Sequence, residues 1–210
     1  AISFADALWL VRRRGELMGS AGAQRPGAMT AILGLSDADV EDACAAAAEG
    51  QVVVAGNRNA PGQVVISGDA DAVARAGEEA RARGARRVVP LQVSGAFHSP
   101  LMAPAAEGLR EALRETEIRD TRLPVVANVT GEPVTRAEEI RRLLVEQLTS
   151  PVLWHACVLG LVALGCTDVL ECGPGRVLTG MAKRVPGVGW SGAFGDTAEL
   201  PRRNGDDAWA

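Results

Sequence analysis

Two histidines are the only imidazoles among the 210 residues, and their surroundings differ. His98 lies in Ser94-Gly95-Ala96-Phe97-His98-Ser99-Pro100, a loop that follows an apolar run with strand character. Loops in that position carry the active-site residues of α/β folds. An imidazole there is either a general base for a nucleophile or a plain loop histidine. His155 sits inside an apolar helical stretch and reads as a packing histidine. Asn57 and Asn59, in Gly56-Asn57-Arg58-Asn59-Ala60-Pro61-Gly62, could hydrogen-bond a ligand, but Asn, Pro and Gly all favour turns, and the turn reading is the stronger one. Arg14 ends the run Arg12-Arg13-Arg14 beside Leu10 and Leu17. Consecutive helical residues point in different directions, so one of the three must face inward or sideways. A guanidinium next to a buried face needs an anionic partner, either a protein carboxylate or a substrate carboxylate gripped by its planar fork. Arg83, Arg86 and Arg87 form a basic cluster that reads as a solvated face or as a dock for an acidic partner.

Other chemistries are excluded or disfavoured. No Gly-x-Ser-x-Gly occurs, so the chain holds no nucleophile elbow. Gly173-Pro174-Gly175 joins a strand to a helix without GxxxxGK[ST] or GxGxxG spacing, and reads as a tight turn near the site more than a phosphate cradle. Cys44, Cys157, Cys166 and Cys172 show no CxxC spacing and suit small buried residues of a reduced, cytosolic protein. The composition, 47% hydrophobic and 23% charged with a net charge of -4, rules out wholesale disorder and argues against non-specific nucleic-acid binding. Aromatics make up 3% with no Tyr, too few for base-stacking platforms. No apolar run approaches the roughly 18 residues of a membrane span, and the N-terminus lacks signal-peptide character.

The elements that must position these residues alternate. Residues 3–19 read as a helix capped by Ser3, with Ala7, Leu8, Leu10, Val11, Leu17 and Met18 as its apolar face. Residues 19–27 read as a loop. Then follow a strand over 29–35, a helix capped at Ser36 and running to about residue 49, strands over 51–55 and 63–68, a helix over 69–84 and a strand over 87–93. That β-α-β-β-α-β order is the pattern of a ferredoxin-like subdomain. Beyond it come helices over 101–116, 137–148, 152–164 and 176–185, a short buried strand over 125–129 and a strand over 167–172. Residues 186–210 read as loop-like. Alternation outside the subdomain argues an α/β layer with a parallel sheet, yet only two of its strands are present, as if half the sheet were missing. The implied segmentation is 1–26 and 94–190 for the layer, 27–93 for the subdomain and 191–210 for a frayed tail.

Several stretches together resemble malonyl-CoA:acyl carrier protein transacylases. Ser3 to Leu8 with Leu10 to Met18 is similar to the helix after that family's active-site serine. Gly27 to Leu35 is similar to the strand opening its ferredoxin-like subdomain. Asn57 to Gly68, Gly95 to Met102 and Glu171 to Leu178 are similar to further family signatures, all colinear over about residues 3–185.

The resemblance implies an α/β-hydrolase-like parallel-sheet layer, incomplete at its N-terminus, with the ferredoxin-like insert. It implies transfer of a malonyl group from malonyl-CoA to the phosphopantetheine thiol of acyl carrier protein through an acyl-serine, in fatty-acid biosynthesis. By position, His98 matches the base and Gln147 the residue whose backbone carbonyl orients it. Arg14 matches the malonyl-carboxylate clamp, and Met18 and Phe97 line the acyl pocket. Gly-Ala-Phe-His is the form associated with malonyl, because Phe97 crowds the extra methyl of methylmalonyl. Asn57 and Asn59 contact substrate or shape the adjoining loop, while Arg86 and Arg87 match positions proposed to dock the carrier protein. Malonyl-CoA is then substrate, with no bound cofactor or metal, no nucleic acid or membrane, and a cytoplasmic monomer is expected. The family's serine lies in a Gly-His-Ser-x-Gly elbow that would fall upstream of Ala1. The chain therefore reads as a C-terminal portion, inactive alone. A polyketide-synthase acyltransferase domain and a non-catalytic carrier-binding remnant are the alternatives.

Overall fold

The computed structural model describes residues 1–195. Ser3 begins the first helix, its hydroxyl accepting the Asp6 N–H at 3.1 Å, and α1 then runs Phe4–Gln24. The expected loop over 19–27 is therefore mostly helix. Two glycines in that stretch do not end α1, because Gly22 is where the helix meets another backbone: a Cβ there would lie 2.4 Å from the Ser94 carbonyl oxygen. The buried face also differs from the expected one. Leu10, Met18 and Ala21 are buried, while Leu8 and Val11 are exposed. At about 100° per residue, Leu8 and Leu10 stand about 200° apart and cannot share one face. Of the three arginines, Arg12 and Arg13 are exposed and Arg14 is half-buried.

Next come β1 (Ala28–Leu33), α2 (Asp37–Ala47), β2 (Val53–Ala60), β3 (Gln63–Gly68), α3 (Ala70–Ala82) and β4 (Arg87–Pro90). The strands form one antiparallel sheet in the order β2-β3-β1-β4, with Ala28 opposite Gly68 and Leu33 opposite Gln63. Ile32, Val64 and Ile66 from the sheet share a core with Val40, Cys44, Val73 and Ala76 from α2 and α3. Each of the larger aliphatic side chains there stabilises the fold by about 1.5–3 kcal/mol through removal from water. Val65 and Ser67 point to the opposite face and are buried as well. The expected turn over 56–62 is a correction: β2 continues through Asn57-Arg58-Asn59, and only Pro61-Gly62 turns. Pairing with β3 overrides the local turn preference, with register shifts at Ala55/Asn57 and Arg58/Ala60 absorbing the misfit.

After the sheet, a short 3-10 turn at Pro100–Met102 leads into α4 (Ala103–Glu115). Leu10, Met18 and Ala21 of α1 share a core with Ala105, Leu109 and Leu113 of α4 and with Leu148. β5 (Val125–Val126) and β6 (Pro133–Val134) form a two-residue ladder. The expected buried strand over 125–129 is thus shorter and not buried, with Val125 47% exposed. α5 (Ala137–Glu146) and α6 (Trp154–Ala163) follow.

Residues 1–157 form one compact unit, and the described residues from 158 on belong to a second. In the second, β7 (Asp168–Cys172) pairs in parallel with β8 (Trp190–Phe194), and α7 (Val177–Ala182) lies between them in sequence. The carboxylate of Glu171 accepts the N–H groups of Leu178 and Thr179 at the start of α7, at 3.2 and 2.8 Å. β8 replaces the expected loop over 186–195; the rest of the expected tail lies outside the described residues. No helix among the described residues is long and apolar enough to cross a membrane.

Candidate active site

The loop between β4 and the 3-10 turn places His98. Ser99, fully buried, donates its hydroxyl to the Ala96 carbonyl at 2.6 Å and accepts the Leu101 N–H at 3.3 Å. This staple fixes the backbone on both sides of His98, whose φ is 57°. A left-handed conformation in a non-glycine residue costs about 1–2 kcal/mol and persists only where its surroundings impose it.

The acceptor for the imidazole comes from a different element. α5 ends at Glu146, and Gln147 lies just beyond, where helix carbonyls have lost their intrahelical partners. Its carbonyl faces His98 Nδ1 at 3.0 Å. A ring nitrogen facing a carbonyl must carry the hydrogen, so in the neutral ring Nε2 keeps its lone pair. The Gln147 side chain, itself buried, donates to the carbonyls of Ser150 and Pro151 at 3.2 and 3.3 Å, tightening the turn after α5. That turn leads to the edge of β2, where Val152 N–H donates to Gly56 O at 2.9 Å and Arg58 N–H to Val152 O at 2.8 Å. Gly56 adjoins the base loop closely, a Cβ there lying 3.4 Å from Phe97 O and 3.6 Å from His98 O. One segment therefore links the imidazole's acceptor to the strand that bears Asn57 and Asn59.

Electrostatics favours the neutral base. Burial pushes the His98 pKa below the ordinary imidazole value, and the Arg14 charge pushes in the same direction; the carbonyls of Gln147 and Ser150 oppose both. Arg14 is close enough to His98 to act on it, and burial lowers its own pKa. It has no carboxylate partner among the described residues. A half-buried guanidinium without a counter-ion is costly in the free protein and well suited to a carboxylate ligand.

Met18 is buried in the core that joins α1 to α4, and Phe97 packs against that core. Asn57 and Asn59 are half-buried on β2; Asn57 pairs with Val65 and bridges Val152. Arg86 and Arg87 lie elsewhere. Arg87 opposes Leu33 at the far end of β1 from Gly27, the neighbour of Ala96 in the base loop. Six residue steps at about 3.4 Å each separate Gly27 from Leu33 by roughly 20 Å. The structure thus brings His98, Gln147, Arg14 and Phe97 together, sets Asn57 on the adjoining strand, and leaves both basic residues apart. Residue types alone missed Ser99 and the Ser150 carbonyl; the Ser-Pro pair after His98, a turn-initiating signal, was the available clue to the first.

The cysteines offer no competing nucleophile in the buried positions. Burial pushes the Cys44 thiol up to about 12 and the Cys157 thiol up to about 11. Among the described residues no group of three or more His, Cys, Asp or Glu side chains is arranged to hold a metal ion.

The family described as acyl transferase domain matches residues 1–185. The malonyl CoA-acyl carrier protein transacylase of Bacillus subtilis is 46% identical over 186 residues, covering 88% of this chain and 59% of that protein. The crystal structure of an acyl carrier protein S-malonyltransferase from Vibrio cholerae superimposes with a TM-score of 0.89 at 44% identity, covering 95% of this chain and 65% of that one. A type II PKS acyl-carrier protein in complex with its malonyl-transacylase gives 0.87 at 44% identity, covering 95% of this chain and 64% of that one. The chain therefore spans about three-fifths of the length of these relatives.

Proposed function

The chain belongs to the acyl transferase domain family, and from that premise we propose that it supplies the base and the carboxylate clamp of a malonyl transferase. The observation that supports this best is the pairing of His98 Nδ1 with Gln147 O at 3.0 Å near Arg14, which has no carboxylate partner among the described residues. In the proposed reaction His98 Nε2 takes the proton of a serine hydroxyl as its oxygen attacks the malonyl thioester carbonyl. The C–S bond breaks, and the departing CoA thiolate receives that proton. In the second half the carrier's phosphopantetheine thiol gives its proton to His98, attacks the acyl-serine and releases the serine, which is reprotonated. This is ping-pong covalent catalysis. The serine comes from a Gly-His-Ser-x-Gly segment, a motif absent from these 210 residues.

Arg14 grips the malonyl carboxylate in this reading, which disfavours acetyl thioesters. Met18 and Phe97 shape the acyl pocket, and Asn57 and Asn59 meet the substrate from β2. Arg86 and Arg87, far from the base, suit docking of an acidic carrier protein. Fatty-acid biosynthesis is the proposed setting. Polyketide synthesis uses the same chemistry, and one of the similar structures is such a complex. The strand order β2-β3-β1-β4 with α2 and α3 supports reading residues 27–93 as a ferredoxin-like insert in an α/β-hydrolase-like layer made of 1–26 and 94–190. The four unpaired cysteines suit a cytoplasmic location.

Binding of malonyl- and acetyl-pantetheine thioesters to the 210-residue chain tests the clamp without needing the serine. Malonyl should bind about tenfold or more tightly than acetyl, and Arg14→Ala should erase the difference, since charged hydrogen bonds contribute about 1.5–3 kcal/mol. Equal binding of both by the parent chain would sink the clamp.

A further inference from the structure

His98 and the carbonyl that orients it are carried by two helices that pack on each other. α4 begins just after the 3-10 turn that follows His98, and α5 ends at Glu146, one residue before Gln147. Val145 and Leu148 share an apolar core with Leu109 and Leu113, but apolar contacts are non-directional and leave the axial register of the helices free to slip. Among the described residues, the hydrogen bonds from α5 to the C-terminal end of α4 come from one side chain. Arg141 donates to the carbonyl of Leu113, to that of Thr116 at 2.8 Å and, at 3.5 Å, to that of Ile118 just beyond. The carbonyls of a last helical turn have no intrahelical donor, and a cation there also suits the helix dipole. The Arg141 side chain is 22% exposed, whereas Glu138, 3.7 Å from it, is 89% exposed, so the carbonyls and not the ion pair are its principal partners.

The two helices are thus tied at two places. Arg141 makes one tie, and the His98–Gln147 bond makes the other, about 9 Å further along α5. A bond of 3.0 Å is lost when register slips by about half an ångström. We propose that Arg141 is a positioning residue: by clamping the end of α4 to α5 it holds Gln147 O against His98 Nδ1, and so fixes the tautomer that leaves Nε2 free. It acts through the backbone and not on the reacting atoms. The inference rests on the reading of His98 as the base, which gives that tautomer its purpose. A matching clamp elsewhere supplies the control. Arg75 on α3 donates to Ala47 O at 3.0 and 2.8 Å and to Ala48 O at 3.3 Å, at the C-terminal end of α2. That helix pair carries neither His98 nor Gln147.

The test is 15N NMR of the histidine ring nitrogens of the full chain at pH 8, above the ordinary imidazole range. The chain has two histidines, so a His98→Gln variant assigns the signals. In the parent, His98 should be almost wholly the Nδ1–H tautomer. Arg141→Met keeps the apolar stem and loses the donors, and should raise the Nε2–H share of His98 about tenfold, the change expected on losing one hydrogen bond. Arg75→Met should lower the urea midpoint by a similar amount and leave His98 as it is. Arg141→Gln, a milder change, should move the same signals in the same direction and carries the test if the Met variant does not fold. A folded Arg141 variant whose His98 keeps the parent's tautomer, or an equal shift in Arg75→Met, would overturn the proposal. A parent chain already mixed in tautomer would overturn the oriented-base reading and this proposal together, which separates the two failures.

Discussion

Three glycines in α1 should respond to the same substitution with opposite signs. Alanine at an open helical position stabilises by about 1 kcal/mol over glycine, because less backbone entropy is lost on folding. Gly15 and Gly19 have nothing within 4 Å of a new Cβ. Gly15→Ala and Gly19→Ala should therefore each raise Tm by about 2–4 °C in a chain of this size. Gly22 has the same helical geometry but a different neighbour. Its Cβ would lie 2.4 Å from Ser94 O, and real Cβ contacts essentially never fall under 3.0 Å, so helix and base loop must separate by several tenths of an ångström. Overpacking on that scale costs about 1–3 kcal/mol, which cancels or exceeds the propensity gain. Gly22→Ala should leave the protein no more stable than the parent, or up to about 2 kcal/mol less stable, and should shift the His98 ring signals, since Ser94 begins the loop that carries them. Urea denaturation of all three variants, with NMR of the histidine rings, reads both effects. If Gly22→Ala stabilised as much as the other two and left His98 undisturbed, the close approach of α1 to the base loop would be wrong.

Other expectations follow from the same contacts. Ser99→Ala leaves the buried Ala96 carbonyl without its 2.6 Å donor and should cost about 1–3 kcal/mol in urea denaturation, with altered His98 signals. Arg14→Gln removes a charge that lowers the His98 pKa, so an NMR titration should find that pKa higher than in the parent. Because the folded pKa of His98 lies below the unfolded one, the unfolded chain binds more protons between the two values. Stability should then fall as pH drops through the ordinary imidazole range and level off below the folded pKa. His98→Gln should flatten that part of the pH–stability curve.

The elements that the sequence made legible are those governed by local chemistry. Ser3 and Ser36 cap their helices as their positions suggested, each hydroxyl accepting an N–H three residues on at 3.1 Å. The alternation in β1 and β3 likewise needed only their own residues. What stayed hidden depends on partners distant in the chain. Gly19 and Gly22 looked like a loop because their composition says so, and only the approach of Ser94 explains a glycine inside the helix. Asn57-Arg58-Asn59 looked like a turn until β3 on one side and Val152 on the other drew it into a strand. Trp190-Ser191-Gly192-Ala193-Phe194 has little strand propensity of its own and is ordered as β8 by parallel pairing with β7. The site divides in the same way. His98 was visible from its loop, whereas Gln147, 49 residues on, acts through a backbone carbonyl that its side-chain type does not reveal. Family resemblance, not residue chemistry, pointed to it.

The proposed role of His98 as the base of a malonyl transfer, with Arg14 selecting the diacid, is open to direct test by the transfer itself. The most direct measurement joins a Gly-His-Ser-x-Gly segment, the serine motif that the family resemblance implies, ahead of residues 1–210 and follows malonyl transfer from malonyl-CoA to holo acyl carrier protein. The joined chain should transfer malonyl in preference to acetyl. His98→Ala should lower kcat by up to about ten-thousand-fold, and Arg14→Ala should reduce malonyl transfer while sparing acetyl. A joined chain that keeps its rate without the His98 imidazole, or that transfers malonyl and acetyl equally, would contradict the assignment.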